Sequence, residues 1–150
     1  MKDLQDLEIT RDYNVSLDRL WSAVTRPAQI AQWLGPEGTR LERCDVDFSQ
    51  LGPYTCVMIG LDSGNRFKVS GQVTHVQPPE DGSGSVGFTW AWHDDQDQRG
   101  HESHVTFSVQ PTDTGARLIL THRGLASEEQ SLSHESGWLS TLSKLDKLLT

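Results

Sequence analysis

The chain has 150 residues, with 13 Lys and Arg against 21 Asp and Glu, and its net charge of −8 opposes association with nucleic-acid phosphates or an anionic lipid surface. With 35% hydrophobic and 23% charged residues it has the composition of an ordinary water-facing protein, and no apolar run approaches the ~20 residues of a membrane span. The length fits one domain over residues 1–150, and Met1 to Asp6 lacks the basic and apolar parts of a signal peptide, so a cytoplasmic location is expected, without nucleic-acid or membrane partners.

Leu7, Ile9, Tyr13 and Val15 fall on alternate positions, which predicts a half-buried strand over residues 7–15, with Arg11 interrupting its apolar face. Ser16 follows as an N-cap, Asp18 complements the helix dipole, and Leu17, Leu20, Trp21 and Val24 keep helical spacing for a short helix. Pro27 suits the first position of a second short helix carrying Ile30, Trp33 and Leu34, which Gly35-Pro36-Glu37-Gly38 ends.

From Thr39 onward, segments 40–48, 53–61, 66–77, 85–93, 102–111 and 115–123 alternate β-branched or aromatic residues with polar ones. Turn residues separate them at Leu51-Gly52-Pro53, Asp62 to Asn65, Pro78 to Gly84, Asp94 to Gly100 and Thr112 to Gly115, which predicts an antiparallel meander. Cys44 and Cys56 are the only cysteines, and a hairpin turning near Gln50 would set them opposite one another as reduced, partly buried thiols. Asp94, Asp95 and Asp97 read as a solvated hairpin loop rather than a metal site.

The last element spans Ser127 to Leu149. Ser127 with Gln130 three residues on reads as a capping box, and Leu132, Trp138, Leu139, Leu142, Leu145 and Leu149 form the expected apolar stripe. Such a helix needs an apolar partner, which the upstream strands supply. The predicted class is α+β: a seven-stranded antiparallel curved sheet gripping a long C-terminal helix, with two short helices after the first strand.

Alternation assigns the helix-facing side of the sheet to Phe88, Trp90 and Trp92, to Val105, Phe107 and Val109, and to Leu118, Leu120 and His122. Phe67, Val69, Gly71 and Val73 continue it, with Tyr54, Cys56 and Met58 as further candidates. Such bulk either fills the interior or lines a pocket.

Seven strings occur in order: Trp21-x-x-Val24-Thr25, Gln32-Trp33-Leu34-Gly35-Pro36, Asp47 ahead of Gly52-Pro53-Tyr54, Gly71-x-Val73, Phe88-Thr89-Trp90-x-Trp92, Thr121-His122-x-Gly124-Leu125 and His134-x-x-Gly137-Trp138-x-x-x-Leu142. Over residues 7–149 the chain thereby resembles the family named after the homologue of the heat-shock-protein-ninety ATPase activator, within the SRPBCC or START-like superfamily that also holds the birch-pollen-allergen type. The resemblance implies a helix-grip fold and a habit of internal cavities, while function varies widely across that superfamily. Two positions depart from the family pattern: Leu51 replaces the first glycine of a pair, and Arg26 replaces an acidic cap before Pro27. Direct stimulation of a chaperone is not expected, because no domain like that preceding this region in the eukaryotic activators is present.

The foremost reading is a binding module for a small hydrophobic or aromatic molecule, with Met58, Trp90, Trp92, Phe107 and Trp138 as walls and His122 as polar anchor. An alternative is an enzyme of cyclase or lyase type using His122 or His134 as general acid or base. A third reading is a chaperone-related interaction module. Against the catalytic role stands a plain one, in which the two histidines hydrogen-bond each other or nearby backbone and so tie helix to sheet. Gly137 inside the helix is expected to allow close approach to the sheet or room for a ligand beside Trp138. No Gly-x-Ser-x-Gly elbow, metal-ligand spacing or glycine-rich phosphate loop occurs, so no metal, NAD, flavin or ATP site is expected.

Overall fold

Alternating burial carries the first strand, β1 (Gln5–Tyr13), where Leu7, Ile9 and Tyr13 point inward and Glu8, Thr10 and Asp12 outward. It stops two residues short of the predicted end because Asn14 and Val15 bend into the cap of α1 (Leu17–Thr25). There the Ser16 hydroxyl accepts from the Arg19 N–H at 3.1 Å. Pro27 opens α2 (Pro27–Trp33), and Arg26 before it contributes no side-chain cap. The Trp33 indole N–H donates to the Ala23 carbonyl at 2.8 Å and locks the two helices together. The computed structural model describes residues 4–80 and 82–150; residues 1–3, within the Met1 to Asp6 stretch, and Asp81, within the predicted Pro78 to Gly84 turn, lie outside the described residues.

The remaining strands are β2 (Thr39–Asp45), β3 (Gly52–Gly60), β4 (Arg66–Gln77), β5 (Gly84–Trp92), β6 (Ser103–Pro111) and β7 (Ala116–Leu125), followed by α3 (Glu128–Leu148). They form one antiparallel sheet in the order β1-β7-β6-β5-β4-β3-β2, so the meander folds back until its last strand pairs with its first. The two short helices carry the chain from one edge of this curved sheet to the other. Cys44 and Cys56 are direct cross-strand partners in the β2–β3 register, and both are free thiols.

Two backbones approach closely at Gly71. A Cβ there would collide with the backbone of Thr89, and Tyr54, the register partner of Gly71, reaches across it to donate its hydroxyl to the Thr89 carbonyl at 2.6 Å. One aromatic ring thus covers the gap left by a missing side chain and ties β3 to β5. Around it Phe48, Phe88 and Phe107 interlock, with Phe48 stacked on Phe88 at 4.1 Å.

Two expectations about facing are corrected. Phe67 is 46% exposed, whereas Val69 and Val73 beyond it are buried, because Phe67 sits one residue inside the strand's first end, beyond the helix's cover. On α3, Leu132 and Leu139 are 61% and 41% exposed, and the buried face runs instead through Trp138, Thr141, Leu142 and Leu145. Ser127 caps this helix as predicted, accepting from the Gln130 N–H at 3.1 Å.

Candidate functional site: a cavity under the C-terminal helix

The inward positions of the first half of α3 explain why the apolar stripe failed there. Gln130, Ser133, His134, Gly137, Trp138 and Thr141 follow one another at three- and four-residue steps, so they share one face. That face borders a cavity, open to solvent at the exposed Gln130 and Ser133, rather than a packed core, and small or polar groups suit it. Opposite lie Met58 on β3, Trp90 and Trp92 on β5, and the Leu34-Gly35-Pro36 turn that closes α2. Together they border a partly open cavity of about 350 Å³. Gly35 holds a positive φ of 96°, and a Cβ there would press on Thr39 Oγ1 at 2.9 Å, so this wall requires glycine.

A second cavity of about 250 Å³ lies beside the first, reaching Gly100, His101, Ser103, Leu125 and Ala126. Trp90, Trp92, Gln130 and His134 border both cavities and form the partition between them. No Asp, Glu, Lys or Arg side chain appears among the described residues lining either one.

Two crossed indole–imidazole hydrogen bonds hold the helix to the sheet beside these cavities. Trp138 on α3 donates its N–H to Nδ1 of His122 on β7 at 2.9 Å, and Trp92 on β5 donates to Nε2 of His134 on α3 at 3.1 Å. An indole N–H is a donor only, so each imidazole must offer a lone pair at that nitrogen. The other nitrogen of His134 then donates to the Gln130 carbonyl at 2.8 Å. His122 is fully buried, and that burial first, with His134 and His104 adding to it, pulls its pKa down to about 3. Neutral, with Nδ1 accepting, it carries its proton on Nε2 and donates to Ser103 Oγ at 2.6 Å. Ser103 in turn donates to the Trp90 carbonyl at 3.2 Å.

This wiring fixes where the protons of the two imidazoles and of Ser103 lie. Ser103 beside His122 resembles a nucleophile and its base, yet the proton runs from histidine to serine, the reverse of what activation requires. The lone pairs of His122 and His134 are both engaged by indoles. The two rings meet edge to face at 4.9 Å, and their hydrogen bonds run to Trp138, Ser103, Trp92 and the Gln130 carbonyl rather than to each other.

Of the residues singled out from the sequence, Met58, Trp90, Trp92, Trp138 and His134 come together around the cavity. Phe107 and His122 do not line it: both are fully exposed to neither solvent nor cavity, and they stand one layer behind, against Trp138. Gly137 has open space where its Cβ would be, so it does not serve close approach to the sheet; it widens the cavity. Leu34, Pro36, Gln130, Ser133 and Thr141 were not anticipated as lining. The signal that finds the helix residues among them is spacing without hydrophobicity.

Comparison with known proteins places this architecture. The AHSA1 protein of Silicibacter pomeroyi has a crystal structure that superposes with a TM-score of 0.90 at 51% identity, covering 97% of each chain. A Chromobacterium violaceum protein superposes with a TM-score of 0.82 at 21% identity over 96% of each chain, and an AHSA1-like protein of Aeromonas hydrophila at 0.73 and 17% identity, over 95% of this chain and 90% of its own. These last two share the fold. No curated protein matches the chain. The model of the family described as activator of Hsp90 ATPase homolog 1-like protein matches residues 14–150, and with nearly the whole helix-grip unit inside that match the chain belongs to this family.

Proposed function

We propose that this protein binds a small hydrophobic or aromatic molecule in the cavity between the sheet and α3. The observation that carries the reading is the cavity's size and lining: about 350 Å³ walled by Met58, Trp90, Trp92 and Trp138, within the range of small-molecule sites. The aromatic faces supply apolar area, and Gly137 leaves room beside Trp138. Binding is favoured over cyclase or lyase chemistry because both histidine lone pairs are already engaged by indoles. It is favoured over the chaperone link in the family description because the conspicuous design lies inside the fold.

Titration with N-phenyl-1-naphthylamine, a neutral fluorophore that brightens in apolar surroundings, tests this. One saturable site is expected in the wild type. Gly137→Leu, which fills open space without touching the core, should abolish it. A wild-type protein that leaves the probe dark would end the proposal.

A further inference from the structure

Among the described residues, three buried side-chain atoms have no hydrogen-bond partner: Tyr13 Oη, Asp146 Oδ1 and Trp90 Nε1. Two of these answer each other. Burial and then the facing Asp146 carboxylate push the Tyr13 phenol above its ordinary range, so the hydroxyl and the carboxylate are mutual neighbours. Trp90 has no such counterpart.

The local wiring explains why. The imidazole of His122 lies beside the Trp90 ring, at 6.1 Å between centroids, and its lone pair is taken by Trp138, as that of His134 is by Trp92. The Ser103 hydroxyl donates to the Trp90 carbonyl and accepts a hydrogen bond from His122. Trp90 is only 4% exposed, and solvent does not reach its N–H. An indole donor left this way is costly to the fold, and buried polar groups are almost always paired. Its ring borders both cavities, so a guest in either one meets the ring, and the covered N–H comes within reach when the packing over it shifts.

The lining also restricts the charge of that guest. With no Asp, Glu, Lys or Arg among the described lining residues, a carboxylate or an ammonium set against the buried Trp90 edge would be stripped of water without a counter-charge. A neutral oxygen acceptor suffers far less. Trp92 is the neighbour whose displacement can uncover that edge: it packs edge to face on Trp90 at 5.4 Å and is tethered through one hydrogen bond to His134, on the half of α3 that buries no side chain before Trp138.

From this we infer that the ligand is a neutral, mainly apolar carbonyl compound whose oxygen accepts the hydrogen bond of the Trp90 indole N–H. The inference deepens the binding proposal above and rests on it.

Three naphthalenes of closely similar shape test it: 2-acetonaphthone, with a neutral carbonyl; 2-ethylnaphthalene, with none; and 2-naphthoate, with a charge. The ketone should bind about 5- to 10-fold tighter than the hydrocarbon, the value of one net hydrogen bond, and tighter than the acid. In a spectrum of the ¹⁵N-labelled protein the Trp90 indole resonance should move downfield with the ketone and not with the hydrocarbon, a readout that needs no variant. Trp90→Phe keeps an aromatic side chain but removes the N–H, and should bind ketone and hydrocarbon alike. Equal wild-type affinity for these two overturns the role of Trp90 and leaves the binding proposal standing. Naphthoate binding as tightly as the ketone overturns the neutral class. Failure of all three to bind overturns this inference and the proposal beneath it.

Discussion

His122 shows how one buried side chain makes stability depend on pH. In the folded protein it stays neutral down to about pH 3, while the unfolded imidazole takes up a proton near 6.5. Between those values the unfolded state binds more protons, so stability falls as the pH is lowered through that window, by about 1.4 kcal/mol per unit from this residue. Urea unfolding of wild type and His122→Gln at pH 7, 5.5 and 4.5 should show the wild-type advantage shrinking at that rate below pH 6.5. Parallel pH dependences would contradict the neutral, doubly bonded imidazole. That His122 faces inward was legible from its place in the Leu118, Leu120, His122 alternation. That its lone pair is taken by Trp138 was not, because the two residues sit 16 apart on different elements and meet only when the helix docks.

At the scale of the element, α3 is two helices in one. Its second half packs Leu142 and Leu145 into the core against β1 and β7, whereas its first half spans a cavity and is held by its Ser127 cap and the Trp92–His134 bond. Leu142→Ala should therefore cost about 2–5 kcal/mol. Leu139→Gln, three residues away and 41% exposed, should stay within about 0.5 kcal/mol of wild type. Denaturant midpoints distinguish the two outcomes; a Leu139→Gln loss comparable to that of Leu142→Ala would mean that the first-read stripe is the packed one. The misreading has a physical source. A hydrophobic stripe finds the face of a helix that meets a core, and this helix changes from cavity to core at Trp138.

For the whole molecule, the cavity is kept at the expense of stability. Gly137 lies in the interior of α3, where glycine costs ~1 kcal/mol relative to alanine, and no neighbour within 4 Å demands its absence of a side chain. Gly137→Ala is expected to raise unfolding stability by up to about 1 kcal/mol and to weaken N-phenyl-1-naphthylamine binding less than Gly137→Leu does. Stabilisation together with unchanged affinity for both variants would place the binding site elsewhere. The order of strands and helices, the inward set on β5 to β7, the caps at Ser16 and Ser127 and the pairing of Cys44 with Cys56 all follow from the chain alone, since period, turn residues and capping act over a few neighbouring positions. Whether the interior would be solid or hollow, which way the protons of His122 and His134 point, and that Trp90 alone among these rings keeps a free donor were decided by tertiary structure. Each of those depends on distances of a few ångströms between residues far apart in sequence, and no local pattern encodes them.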